Sequence, residues 1–269
     1  MKKTLLPCLL IISILSSCTR YAYYQSPTHA NASAYRAMPM IRDSAKAKLY
    51  LSGSFIGGLA NQRLRDNING FNASAHVAHH FGNFQAYYGL TGTLGSYKID
   101  STHGWFNTDE DGYPSSSLLN SMTGRKSFRS YGAFGGVNGV IPFTGGEWRF
   151  LGTEFTYTKE FGQYLDFRQK LPINSANLVD QRDHFFTAGL STDLVLRRRS
   201  NSLGFRVAGV MDLATQNVYY QEDNPRVHRS YYFVHTIHFE KNRVTGYFQG
   251  VTGIYAFTIQ GGANIRIGK

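Results

Sequence analysis

From Lys48 onward, apolar and polar residues alternate one by one, the period of an extended strand and not of a helix. In 84–97, Phe84, Ala86, Tyr88, Leu90 and Leu94 share one face, while Gln85, Tyr87, Thr91, Thr93 and Tyr97 take the other. In 71–81, Phe71, Ala73, Ala75, Val77 and Phe81 oppose Asn72, Ser74, His76 and His80. An earlier run places Leu49, Leu51, Phe55 and Leu59 together. The same alternation recurs in 128–141, 148–163, 185–197, 203–214, 230–240, 243–250 and 255–267. These segments predict about ten strands, with eight as the alternative, each long enough to cross an outer membrane.

The two faces differ in chemistry. One is aliphatic and aromatic; the other is mostly Ser, Thr, Gly, Asn and Gln with a few charges. A soluble sheet would turn its apolar face inward and present a charge-rich outer face. The composition therefore predicts apolar residues outward and polar residues inward, in a closed antiparallel up-and-down transmembrane β-barrel. Connections give an independent argument. Phe81-Gly82-Asn83-Phe84, Thr144-Gly145-Gly146-Glu147, Arg199-Ser200-Asn201-Ser202 and Glu240-Lys241-Asn242-Arg243 read as tight turns. Long polar links lie between them, at 60–70, 99–127, 166–184 and 215–229. Membrane barrels alternate in this way, with brief periplasmic turns and longer outer loops. A last tight turn near Thr252-Gly253 keeps the strand count even. The pattern resembles that of small outer-membrane β-barrels of Bacteroidota. The ending Ile267-Gly268-Lys269 departs from the aromatic terminus common in such barrels.

Composition adds little to the fold but narrows the chemistry. The net charge of +11 has no accompanying nucleic-acid motif or basic stripe, so nucleic acid is not an expected partner. Attraction to anionic lipid fits better. Cys8 and Cys18 are the only cysteines, so the body has no thiol for a disulfide, a metal site or a nucleophile.

At the N-terminus, Lys2-Lys3 precede an apolar run from Leu5 to Leu15, followed by Ser16, Ser17 and Cys18. This is the layout of a secretory signal, too short for a spanning helix. Leu15-Ser16-Ser17-Cys18 resembles a bacterial lipobox. That resemblance implies cleavage before Cys18 and diacylglycerol on its sulfur. It divides the chain into a signal peptide (1–17), a lipid-anchored tether or arm (18–44) and a barrel domain (45–269). Thr19 and Arg20 lack the Asp that retains lipoproteins at the inner membrane, and also the acidic cluster that marks surface export in some Bacteroidota. The expected site of the anchor is thus the periplasmic leaflet of the outer membrane.

Candidate chemistry is sparse. Glu154, Glu160, Asp193, Arg206, Asp212 and Arg266 fall on the expected inner face, with Arg197, Glu240 and Arg243, and read as a polar network filling the lumen. His76 and His80 share a face about 13 Å apart, too far for one metal ion, and His235 and His238 lie on opposite faces. His228-Arg229-Ser230 bears a passing likeness to lipid A deacylases, without a matching flank. Thr108-Asp109-Glu110-Asp111-Gly112 reads as a solvated turn, and Arg197-Arg198-Arg199 as a contact for periplasmic headgroups. Trp105, Phe106, Tyr113, Tyr219 and Tyr220 are loop aromatics suited to partner contacts or an interfacial girdle. The reading is a lipid-anchored outer-membrane barrel without enzymatic activity or cofactor. Its partners are membrane lipids and, through long loops, other envelope proteins. A small pore and a lipid- or peptide-modifying enzyme are the alternatives.

Overall fold

The computed structural model describes residues 22–28, 34–41, 47–61, 66–100, 122–173, 175–219, 226–253 and 256–267. Ten strands close into an antiparallel barrel. They are β2 (Ala47–Ala60), β3 (Asp66–Phe81), β4 (Phe84–Ile99), β5 (Gly124–Phe143), β6 (Gly146–Phe161), β8 (His184–Arg198), β9 (Asn201–Asp212), β12 (Tyr231–Lys241), β13 (Val244–Gly253) and β14 (Ala256–Ile267). Chain neighbours are barrel neighbours, and β14 closes against β2, with Ile267 opposite Leu49 and Ala256 opposite Ala60. Every backbone ladder is therefore paired and no strand edge is left open. Four short elements lie off the barrel: β1 (Tyr23–Tyr24), β7 (Leu178–Val179), β10 (Gln216–Val218) and β11 (Arg226–His228). Among the described residues one helix, α1 (Gln163–Lys170), sits in the connection after β6.

The expected faces are those observed. Phe84, Leu90, Phe155 and Phe257 point away from the barrel and are 52, 67, 60 and 36% exposed. Their strand neighbours Gln85, Thr93, Glu154 and Thr258 are buried inside. The outward apolar belt runs around all ten strands and carries aromatic rings towards both rims. Phe81, Phe84, Trp148 and Phe150 lie at the short-turn end; Tyr131, Phe161, Phe186 and Tyr231 lie at the other. Such a belt on a globular surface would be an enormous uncovered patch; in a bilayer it is the solvated face. No described helix is long and apolar enough to cross a membrane.

Two-residue turns join β3 to β4, β5 to β6, β8 to β9 and β12 to β13, all at one end. Each holds one residue in the left-handed region: Gly82, Gly145, Arg199 or Asn242. The strand ends joined through the long connections 100–123, 162–183 and 213–230, and through the shorter links 61–65 and 254–255, lie at the opposite end. The first long link is shorter than expected because pairing extends back to Asp66, opposite Ala60.

Alternation breaks once. The register shifts between Gly139 and Val140 on β5 and between Arg149 and Gly152 on β6. Phe150 and Leu151 consequently both face outward, and Glu147 and Arg149 face inward. A β-bulge of this kind inserts an extra residue and resets the phase of everything before it.

The belt makes a sharp prediction. Leu90→Arg, at mid-strand on the lipid face, is expected to destabilise the folded barrel by about 2–4 kcal/mol in urea titrations in bilayers. The same change on an ordinary aqueous surface would stay within roughly 0.5 kcal/mol, and a value that small would contradict the membrane-facing belt.

Candidate functional site

The lumen holds a segment of the chain itself. Residues 22–28 lie at the long-loop end and residues 34–41 run on towards the short-turn end, before β2 begins. Backbone and side-chain bonds fix the first part. Ala22 N donates to Asn177 Oδ1 at 2.8 Å and Tyr23 N to Asn61 Oδ1 at 2.6 Å. Tyr23 and Tyr24 pair in parallel with Leu178 and Val179 of the loop after β6. The Tyr24 ring meets Phe167 of α1 edge-on at 5.4 Å. Ser230 donates to Gln25 Oε1 at 3.4 Å.

The second part descends residue by residue. Tyr35 stacks on His238 at 4.3 Å. The Arg36 guanidinium lies 3.9 Å over the Phe134 ring. His76 Nε2 donates to Ala37 O at 2.8 Å, and Gln85 Nε2 to Pro39 O at 2.8 Å. Ile41 N donates to Glu147 Oε2 at 2.9 Å, one residue from the turn before β6. Carbonyls and amides of the arm thus take lumen side chains as partners, which removes the cost of burying unpaired backbone. The segment expected to be a tether or arm is, in its described residues, a plug.

The expected lumen charges fall into three groups. In the lower lumen, Asp193 accepts from Arg149 at 2.8 Å and from His238 at 3.0 Å, while Arg149 also pairs with Glu147 at 2.8 Å. All four side chains are buried. Higher up, Glu154 accepts from Tyr87 Oη at 2.7 Å and faces Arg36 and Arg206, which also faces Asp193. At the long-loop end, Glu160 pairs with Arg168 of α1 at 2.9 Å, both fully buried. Nearby, Asp212 pairs with Arg182 at 2.6 Å, and Arg182 reaches Asp180 at 2.9 Å. Partial burial disfavours the Arg182 charge, but hydrogen bonds and attraction from Asp180 and Asp212 outweigh it and raise its pKa above the ordinary arginine value. Arg266 is half-buried at the short-turn mouth, 3.8 Å from Glu240. Arg197 and Arg243 are exposed at that rim, where Arg197 Nη1 lies 3.9 Å from Met40 Sδ of the arm.

Besides partners on the barrel wall, these charges meet groups the alternating pattern did not single out: Arg36 on the arm, Arg149 behind the bulge, Arg168 on α1 and Arg182 in the connection after β6. The interior is not polar throughout. At the long-loop end Ile56, Ile68, Ile99 and Phe128 point inward and pack with Ala22, Tyr24, Tyr164 and Phe167. α1 and the arm shut out water there, so inward apolar residues are favourable. Space is made by glycine. A Cβ on Gly204 would stand 2.1 Å from His238 Nε2, and one on Gly136 would stand 2.5 Å from Tyr87 Oη. A vestibule of 300 Å³ opens at the short-turn mouth, lined among others by Met40, Arg197, Glu240 and Arg266.

Of the other candidates, His76 is buried and bonded to the arm, and His235 points outward. Among the described residues no group of three or more His, Cys, Asp or Glu side chains could hold a metal ion. Ser230 is buried, and His228 lies on β11, which pairs with β10 in a loop ribbon. Cys18, the acidic turn 108–112, Trp105, Phe106, Tyr113 and Tyr220 lie outside the described residues.

No protein-family model matches the chain, and no curated protein matches it. Among solved structures, it is similar to the transport unit of the autotransporter AIDA-I from Escherichia coli, at 10% identity and TM-score 0.42, covering 92% of this chain and 100% of that one. It is similar also to the translocator domain of autotransporter NalP from Neisseria meningitidis, at 10% identity and TM-score 0.40, with 83 and 89% covered. A third is an outer membrane channel from Pseudomonas putida F1, at 9% identity and TM-score 0.42, with 87 and 98% covered. At these identities and superpositions the likeness goes no further than strand barrels.

The buried cluster predicts a large, asymmetric mutational response. Arg149→Met strands Glu147 and Asp193 without their cation and is expected to cost about 3–5 kcal/mol in urea unfolding. Arg197→Met, at the exposed rim, is expected to change stability by less than about 0.5 kcal/mol. Equal effects of the two would contradict the placement of Arg149.

Proposed function

We propose that this protein is an outer-membrane barrel sealed by its own N-terminal arm and held additionally by lipid on Cys18. Its role is structural or interactive, not conductive. The observation that carries this reading is the arm in the lumen, bonded to the wall at successive levels from Ala22 to Ile41. A small barrel leaves little room beyond its own side chains, and here the arm takes what remains. Its buried charges are paired, as they must be where water is excluded, and do not line an open path.

The belt supports residence in a bilayer, and the clustering of short turns at one end supports an orientation with those turns on the periplasmic side and the long connections outside. Acyl chains on Cys18 would add a second hold beside the barrel itself. The long connections are the surfaces on which another envelope protein would be met. Absence of catalysis is part of the proposal: Ser230, the nucleophile of the deacylase-like alternative, is engaged with Gln25.

Planar-bilayer recording tests the seal. The intact protein is expected to give no sustained single-channel steps. Removal of residues 22–41, or the milder pair Tyr35→Ala and Arg36→Ala, is expected to produce steps or rapid flicker. Steady conductance of the intact protein would overturn the sealed-barrel reading.

A further inference from the structure

We infer that the arm delivers the N-terminus to the long-loop face, so that the lipid on Cys18 enters the outer leaflet and not the periplasmic one. The inference rests on the proposed orientation and lipidation, and adds to them the side on which the anchor lies.

The direction of the arm is fixed by its contacts. Ala22 and Tyr24 are tied by backbone bonds to Leu178 and Asp180, in the connection that follows β6 at the long-loop end. Asn61, which receives Tyr23 N, follows the end of β2 at the same rim. Pro39 and Ile41 are tied to Gln85 and Glu147, each one residue from a tight turn. Read from the N-terminal side, the chain passes from the long-loop end to the short-turn end and then enters β2.

Reach decides the rest. Cys18 is four residues before Ala22, a separation that spans at most about 14 Å even when fully extended. The apolar band of such a barrel is about 25 Å tall, and Ala22 already stands at its far rim. A sulfur-linked diacylglycerol on Cys18 cannot return to the short-turn side without unthreading the arm. Unthreading would strip Glu147, His76 and Gln85 of their arm partners and open the buried lumen to water. The anchor and the plug are therefore one device. The chain is stapled across the bilayer, with acyl chains on one side and the rim at Ala47 and Ile267 on the other.

Two epitope tags test this in intact cells, one inserted between Arg20 and Tyr21 and one after Lys269, with incorporation of an alkyne fatty acid into the protein as the lipid readout. The expected result is full antibody labelling of the first tag before permeabilisation and of the second only afterwards, with the fatty-acid signal lost in Cys18→Ala. Protection of both tags until permeabilisation would overturn the inference while leaving the orientation intact. Labelling of the C-terminal tag on intact cells would overturn the orientation and the inference together. Because an inserted tag could itself hinder threading, an untagged variant pairs Tyr23→Cys with Leu178→Cys, which face each other across β1 and β7. A disulfide read as a reductant-sensitive gel shift is expected in protein taken from cells, and its absence would overturn the arm's course.

Discussion

Hydrocarbon offers no hydrogen bonds, and that constraint governs the rest of this molecule. A peptide group exposed to acyl tails goes unpaired at a cost of several kcal/mol. The chain meets it by pairing every barrel strand on both sides and closing β14 on β2. Closure then dictates the alternation of side chains, because each strand has one face on lipid and one on an enclosed interior. The same constraint reappears inside. A closed ring of ten strands encloses a space too polar to be left empty, and the arm fills it with groups that match the wall.

Plugging alters what the interior is. Without the arm, Glu147, Arg149, Asp193 and Glu154 would line a wet channel. With it, they form buried pairs whose worth depends on complete satisfaction. Arg149 occupies the centre of one such set, with Glu147, Asp193 and the Met38 carbonyl around it. The two ends of the lumen are filled by different residues. Packed aromatic and aliphatic side chains from α1, the arm and the wall fill the long-loop end beside the Glu160–Arg168 pair, whereas towards the short turns the cluster of Tyr35, Met38, Tyr50, Tyr87 and Tyr247 adjoins the buried Glu147, Arg149 and Asp193.

The barrel was legible in the sequence because its signal is local and repeated. Phe84, Leu90, Phe155 and Phe257 each declare the lipid face through their immediate neighbours, and turns such as Gly82-Asn83 mark the hairpins. The plug was not legible in the same way. Residues 34–41 have no period, since an irregular strand inside a barrel is recognised by wall residues from several distant strands. Arg149 was not singled out, because strict alternation counted back from Glu154 puts it on the outward face, and only the bulge turns it in. The adjacent apolar pair Phe150-Leu151 is the one local sign that the phase changes there. Arg168 on α1 and Arg182 beyond it lie in the connection after β6, and nothing in their surroundings in the chain points to Glu160 or Asp212.

Single-cysteine scanning along β4 bears most directly on the central claim, because the barrel domain carries no cysteine of its own. Spin labels placed in turn at positions 87 to 94 in reconstituted bilayers report collision with oxygen, which concentrates in lipid, and with a polar nickel reagent, which does not. The account predicts high oxygen contact at 88, 90 and 94 and low contact at 87, 91 and 93, in a strict period of two. A flat profile, or one with its phase reversed, would mean that the apolar face does not lie against lipid.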